Sequence, residues 1–314
     1  MRVMLSSAAA KVPLLRALKQ AAQRLDPYAT VLAADAAAPV VSQYFADLFW
    51  QIPPCTASHT AEILAGLKHF QVSHIVPSRD GELVFWARLK PQLAAAGIMV
   101  IVSNESSIQR CLDKLLFAEL LQAKGYPAIP TFSALPEAQP AALWVVKERF
   151  GAGSQQLGTA LGKAAALQHA TKLQQPIFQP YIHGQELSID AWLDQHGKLK
   201  AHCYRYRIKV QHGESQITQT VALPQYDHVV RAILHELNLS GPVVLQAIID
   251  EQQQLQIVEC NSRFGGASTL GVAAGVDSLY WSLAESCGHN VAAIPVLSSS
   301  VPLTQVRFAE DRYL

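Results

Sequence analysis

The sequence lacks an excess of charge of either sign. Lys and Arg total 25 against 24 Asp and Glu, a net charge of +1, so no polyanion-binding surface is expected and nucleic acid is not an expected partner. Charged residues make up only 16% of the chain and hydrophobic ones 50%, which excludes a disordered polypeptide and supplies enough apolar surface for a sizeable core. Cysteine is scarce: five residues, Cys55, Cys111, Cys203, Cys260 and Cys287, with no Cys-x-x-Cys pair. That scatter excludes a disulfide framework or zinc ribbon and fits a reducing compartment. The best apolar run, 93–102, is about half a membrane span, so no membrane partner is expected. The opening MRVMLSSAAAKVPLL has too short an apolar stretch for a secretory signal and passes at once into a helix pattern with Lys11, Arg16 and Lys19. A cytoplasmic protein beginning on a strand is expected. Internal repeats are also lacking, as are two common catalytic signatures. GTALGKA at 158–164 is one residue short of a phosphate-binding P-loop and has Ala after Lys163, and His235–Glu236 has no second His at metalloprotease spacing. That pair and His202–Cys203 read as structural.

What is present is a change of pattern along 314 residues, long enough for two or three lobes. RVMLS, TVLAAD, SHIVPS and IMVIVS read as strands, separated by helices at 11–25, from Thr60, and through LVFWARLKPQLAAAG, which Pro91 interrupts. Alternation of this kind predicts a doubly wound parallel sheet, with ligands at the carboxyl ends of its strands. Ser6, Ser7, Asp35 and a loop PSRDGE at 77–82 are therefore placed beside any cleft. One helix, SIQRCLDKLLFAELLQAKG, follows and stops at Gly125. From 143 to about 221 strand patterns dominate. A helix, DHVVRAILHELNL, a strand pair, PVVLQAIID with LQIVEC, and a last helix, SLYWSLAESCG, complete the chain. The fold class expected is α/β in the first half and α+β in the second. The five Trp read as core.

Three stretches carry chemistry. In LQIVECNSR, Glu259, Asn261 and Arg263 alternate with apolar residues and so share one strand face. A hairpin closed by Asp250 and Leu255 puts Gln246 opposite Glu259. One carboxylate and two amide oxygens suit Mg²⁺, and a guanidinium suits a phosphate oxygen. Against that stands an ordinary strand with its polar face to solvent. In VVKERFGAGSQQLG a strand delivers Lys147 into a loop with Gly151, Gly153 and Gly158, whose backbone can approach an anion closely; a plain β-turn is the alternative. FQPYIHGQELSID alone is an unremarkable strand–turn–strand. Arg205, Arg207 and Lys209 alternate in YRYRIKV and so share a face, either for an acidic substrate or for solvent. Asp80 and Glu82 offer carboxylates to an amino group, or belong to a surface loop. Gly265, Gly266 and Ser268 in GGAST offer N–H and hydroxyl donors to an acceptor pocket.

In order and spacing, CLDKLLFAELLQAKGYPAIPTF, WVVKERFGAGSQQLG, FQPYIHGQELSID and LQAIIDEQQQLQIVECNSRFGG resemble the ATP-grasp superfamily, closest to short single-unit relatives of the carbamoyl phosphate synthase large subunit. The resemblance implies a pre-ATP-grasp domain at 1–106, a linker helix and small lobe at 107–182, and a large lobe with the metal and phosphate site at 183–314. It implies ATP and Mg²⁺, with Mn²⁺ as a substitute. Lys114, Lys147, Gly151, Gly153 and Ser154 would contact phosphates. Gln179, Pro180, Tyr181 and Ile182 would form the adenine hinge and Glu186 would bind ribose. Gln246, Glu259 and Asn261 would hold the metal, and Arg263 would act on the transferring phosphoryl group. The loop at 6–11 departs from that branch by lacking its usual Gly. The expected activity is an ADP-forming carboxylate–amine ligase acting on a small amino-acid-like acid through an acyl phosphate. Its partners are small-molecule acid and amine substrates, and a homodimer is allowed for. Activation of bicarbonate or carbamate with a partner subunit, and a non-catalytic ATP-binding module, are the alternatives.

Overall fold

Buried aliphatic strands alternating with amphipathic helices can pack only as a parallel sheet covered on both faces. The computed structural model of the protein describes residues 1–137, 142–151, 153, 156–211, 213–297, 299 and 301–313. In it β1 (Arg2–Ser6), β2 (Thr30–Asp35), β3 (Leu48–Gln51), β4 (His74–Pro77) and β5 (Met99–Val100) form a sheet in the order β3-β2-β1-β4-β5. Every neighbouring pair is parallel. Helix α1 (Val12–Gln23) buries Leu14, Leu15, Leu18, Ala21 and Ala22, the stripe its spacing predicts. It packs with Val3 and Leu5 on one face. Met4 and Leu32 face the other way, toward α2 (Thr60–His69) and α3 (Asp80–Ala95). Strand β3 was not expected; it is a short edge strand paired only with β2. The 77–82 stretch is not a loop: Asp80 already opens α3, which runs on through Pro91.

The single helix expected over 107–125 is two. Helix α4 (Glu105–Leu112) ends and α5 (Lys114–Ala123) begins at Asp113, whose ψ of 96° breaks the run. Its carboxylate accepts from the backbone N–H of Leu115 at 3.2 Å and Leu116 at 3.1 Å, and Arg149 grips it at 2.7 and 2.6 Å. Aspartate gains more as a cap than inside a helix.

Strands β6 (Trp144–Glu148), β7 (Gly158–Leu161) and β8 (Pro176–Pro180) form a small antiparallel sheet, ordered β7-β6-β8, under α6 (Lys163–Ala170). The large sheet holds β9 (Gly184–Leu193), β10 (Leu199–Gln211), β11 (Glu214–Val221), β12 (Gly241–Asp250), β13 (Leu255–Asn261) and β14 (Thr304–Val306). Its order is β13-β12-β9-β10-β11-β14, antiparallel throughout. Strands β7 and β14 were not expected; both have three or four residues and lie at sheet edges. Helices α5 and α7 (Asp227–Glu236) cover one face of the large sheet. On the other lie α8 (Ser268–Ala273) and α9 (Ser278–Ser286), where Trp281 meets Trp192 with ring centroids 5.7 Å apart. Phe264, Leu279 and Leu283 also join the core around Val3 and Leu5, so the parallel sheet is fastened beside the end of β13. No described helix is long and apolar enough to cross a membrane.

The Asp113 junction can be tested alone. Asp113→Ala should lower stability by about 1–2 kcal/mol in urea titration, the loss of one helix cap and its ion pair.

Candidate active site

A cleft of about 880 Å³ lies where the three sheets meet, within the size range of small-molecule sites. Its floor is the β12–β13 hairpin. Gln246 stands opposite Glu259, as the sequence pattern implied, but the turn is one residue tighter, with Ile249 opposite Leu255. A bulge between Gln246/Ala247 and Glu259/Ile257 absorbs the difference and restores the pairing. Asn261 Nδ2 lies 3.5 Å from Glu259 Oε1, and Arg263 donates to Asn261 Oδ1 at 3.2 Å. Glu259 has no cation within salt-bridge distance among the described residues; Lys147 and Arg207 are the cations that feel its charge. A carboxylate with no close cation, flanked by two amides whose oxygens Arg207 and Arg263 reach at 3.4 and 3.2 Å, is a set of oxygen groups that fits Mg²⁺.

The small sheet supplies the facing wall. Lys147 lies half-buried on β6; burial lowers its pKa to about 8, Glu259 opposing the shift and Lys114 adding to it. Lys114, at the first turn of α5, donates to the carbonyls of Gly151 at 2.7 Å and Arg149 at 3.5 Å. Gly151 and Gly153 have φ of +119° and +76°, which side chains with a Cβ adopt only with strain. Ser154 lies outside the described residues. Gln179, Pro180, Tyr181 and Ile182 line the cleft behind this loop. The Gln179 side chain turns away to Thr131 at 2.8 Å, and its backbone pairs with Val145. Glu186 pairs with Arg207 at 3.0 Å.

The expected cationic face on β10 is not continuous. Arg207 enters the cleft, and burial lowers its pKa. A bulge at Ile208 then reverses the alternation, leaving Lys209 exposed and Val210 at the cleft. Arg205 is buried and held by Asp190, at 2.6 and 3.4 Å. Ser268 donates to the same carboxylate at 2.9 Å and accepts from the Gly265 N–H at 2.8 Å. Ser268 therefore faces Asp190 rather than the acceptor pocket, whereas Gly265 and Gly266 line the cleft. Two oppositely charged groups out of water must satisfy one another first, which a periodic pattern does not reveal.

The parallel sheet closes the far end. Asp80 grips Arg263 through two bonds, 3.1 and 2.6 Å. Glu82 is fully buried and accepts from Ser6, the Ser78 and Arg79 N–H groups at 2.9 and 3.2 Å, and the Trp86 indole at 3.1 Å. Neither carboxylate is a surface-loop group. Lys11, Ser78 and Arg79 also line the cleft. Ser78 and Arg79 fall in the 77–82 stretch placed beside a cleft, whereas Lys11 was missed; its signal was a cation just after the loop at the carboxyl end of the first strand.

Residues 172–307 match the family model described as ATP-grasp in the biosynthetic pathway with Ter operon. Over those residues the chain is similar to ATP-grasp proteins. The fold recurs in solved structures of low sequence identity. The biotin carboxylase domain dimer of Hydrogenobacter thermophilus 2-oxoglutarate carboxylase, in complex with MgADP, ADP and bicarbonate, matches with a TM-score of 0.73 and 17% identity over 92% of this chain and 70% of that one. N5-carboxyaminoimidazole synthetase from Staphylococcus aureus matches at 0.68 and 15%, over 92% and 77%. Rhizobium etli pyruvate carboxylase matches at 0.70 and 15%; this chain spans 28% of its length. No curated protein matches the sequence.

The two β10 arginines should behave differently. Arg205→Gln leaves Asp190 buried without its partner and should cost about 3–5 kcal/mol of stability. Arg207→Gln, whose partner Glu186 is half-exposed, should cost under about 1 kcal/mol. Chemical denaturation of both variants checks the difference.

Proposed function

We propose that the protein is an ATP- and Mg²⁺-dependent carboxylate–amine ligase working through an acyl phosphate on a small amino-acid-like acid. The observation that carries this reading is the convergence of Gln246, Glu259, Asn261 and Arg263 on one side of the β12–β13 hairpin and its end, opposite Lys147 and Lys114. In this reading Gln246, Glu259 and Asn261 hold Mg²⁺, which when bound neutralises phosphate charge. Lys114 and Lys147 grip nucleotide phosphates beside the backbone of Gly151 and Gly153. The edge from Gln179 to Ile182 receives the base, and Glu186 the ribose. A carboxylate oxygen attacks the γ-phosphorus and ADP leaves; an amine then attacks the acyl carbon and phosphate leaves. Arg263 offsets the negative charge at the phosphoryl group, Arg207 orients the acid, and Gly265 and Gly266 line its pocket. Arg205 and Asp80 serve here by positioning, one beneath Gly265 and the other on Arg263. The division at 1–106, 107–182 and 183–314 belongs to the same proposal, each part holding one sheet.

Bicarbonate as the acid is the second reading, favoured by the fold neighbour solved with bicarbonate and MgADP. A homodimer is also proposed, since that neighbour was solved as a dimer; sedimentation tests it.

Release of ADP with Mg²⁺-ATP, screened against amino acids singly and in pairs and against bicarbonate, tests the reading. Pair-dependent turnover supports amide formation, bicarbonate-dependent turnover supports the second reading, and silence with tight ATP binding overturns both. Glu259→Gln should keep the fold and lower kcat/KM at least about tenfold, because a neutral amide holds Mg²⁺ less well; full activity at saturating Mg²⁺ overturns the metal assignment. The Lys147 ammonium is fully charged only below its pKa of about 8. ATP affinity should therefore fall as pH rises through 8, and Lys147→Arg should remove that fall, as measured by titration calorimetry.

A further inference from the structure

Charge pairing in the cleft divides its cations into two kinds. Arg205, Arg207 and Arg263 each have a carboxylate within 4.0 Å, from Asp190, Glu186 and Asp80. Among the described residues Lys114, Lys147, Lys11 and Arg79 have none within that distance. Lys114 and Lys147 belong to the nucleotide wall. Lys11 and Arg79 sit at the opposite end, on the parallel sheet, and the nucleotide reading gives them nothing to do.

The Lys11 ammonium is held in a built setting. It donates to the carbonyls of Ser7 at 3.1 Å and Ser78 at 2.6 Å, and to Ser78 Oγ at 2.8 Å. All three acceptors are neutral, so its charge is uncompensated at close range. Ser7 follows β1 and Ser78 follows β4, adjacent strands whose connections run to opposite sides of the sheet. Open α/β sheets bind ligands at such a switch point. The loop between β1 and α1 is shaped to aim these groups. Ser7 and Ala9 have φ of +54° and +29°, a left-handed backbone that strains a non-glycine residue. Bonds from Ala8 N–H to the Ala34 carbonyl, 3.0 Å, and from Ala9 N–H to Asp35, 2.8 Å, hold it there.

We propose that this end of the cleft, built on Lys11 with Arg79, is an anion subsite that takes a carboxylate or phosphate group of the substrate other than ATP. The proposal deepens the ligase reading and rests on it for the identity of that second substrate. An incoming anion replaces the longest of the three Lys11 bonds, the one to Ser7. Arg79 is exposed and adds a second donor from the mouth. The groups facing Lys11 are Arg263 from the end of β13, Asp80 and Glu82 from α3, and Asp35 from β2. Burial and then Arg263 lower its pKa to about 8, the carboxylates opposing them. The ammonium is present below that value, so anion affinity should be lost as pH rises through it.

Calorimetric titration of the full chain with sulfate, a phosphate mimic, and with succinate, each without nucleotide, tests this. Neither probe titrates between pH 7 and 9, and whichever binds identifies the group taken. Lys11→Gln should weaken that binding at least about tenfold and leave MgATP affinity within about twofold. Lys147→Gln should do the reverse. Arg79→Gln, at an exposed position, should weaken the anion a few-fold, and Lys11→Arg should abolish the loss of affinity above pH 8; these two variants decide the matter if Lys11→Gln does not fold. Wild-type affinity for either anion in Lys11→Gln, or no binding of both anions to the wild type, overturns the subsite. Lys11-dependent anion binding in a protein that binds no MgATP would sink the ligase reading and leave the subsite standing.

Discussion

The ion pair between Arg263 and Asp80 joins the two halves of the site. Arg263 leaves the end of β13 two residues after Asn261, and Asp80 opens α3 on the parallel sheet. A bidentate carboxylate–guanidinium contact fixes orientation as well as distance. With Phe264 packed into the core around β1 on the next residue, it holds the switch point of the parallel sheet against the polar face of the hairpin. Without that fastening, Lys11 and Ser78 would belong to one structural unit and Glu259 to another.

The remaining charges follow from burial. Asp190 and Arg205 neutralise each other beneath the Gly265 turn, with Ser268 as the third member. Glu82 spends its oxygens on two hydroxyl- or amide-bearing loops and an indole. Asp113 divides its carboxylate between capping α5 and holding Arg149, whose carbonyl in turn receives Lys114. Each arrangement satisfies a group that would otherwise be stranded away from water. Among the described residues of the cleft, those left without a close opposite charge include Glu259 on the hairpin, Lys147 on the small sheet, Lys114 on α5, and Lys11 with Arg79 at the far end. These are the groups on which a ligand can act.

Much of this was legible locally. Period-2 alternation in LQIVECNSR placed Glu259, Asn261 and Arg263 together, and the hairpin put Gln246 opposite Glu259. Leucine spacing in α1 identified its buried stripe. Such features depend on residues within a few positions of one another, where backbone geometry allows only a small set of arrangements. The short edge strands β3, β7 and β14 were not legible, because each is stabilised by a single neighbour distant in the chain rather than by its own pattern.

The alternating α/β start, the strand-rich second half and the polar face of β13 follow from local residue patterns, since hydrophobic periodicity dictates which side of an element must leave water. Tertiary structure alone decided how the charges were shared. Arg205, Arg207 and Lys209 look equivalent in a strand pattern, yet one is buried against Asp190, one enters the cleft and one is turned outward by a single bulged residue. Asp80 and Lys11 met the hairpin only when α3 and the β1 loop were packed beside it. Electrostatic partnership depends on distance and burial in three dimensions, and neither is encoded by spacing along the chain.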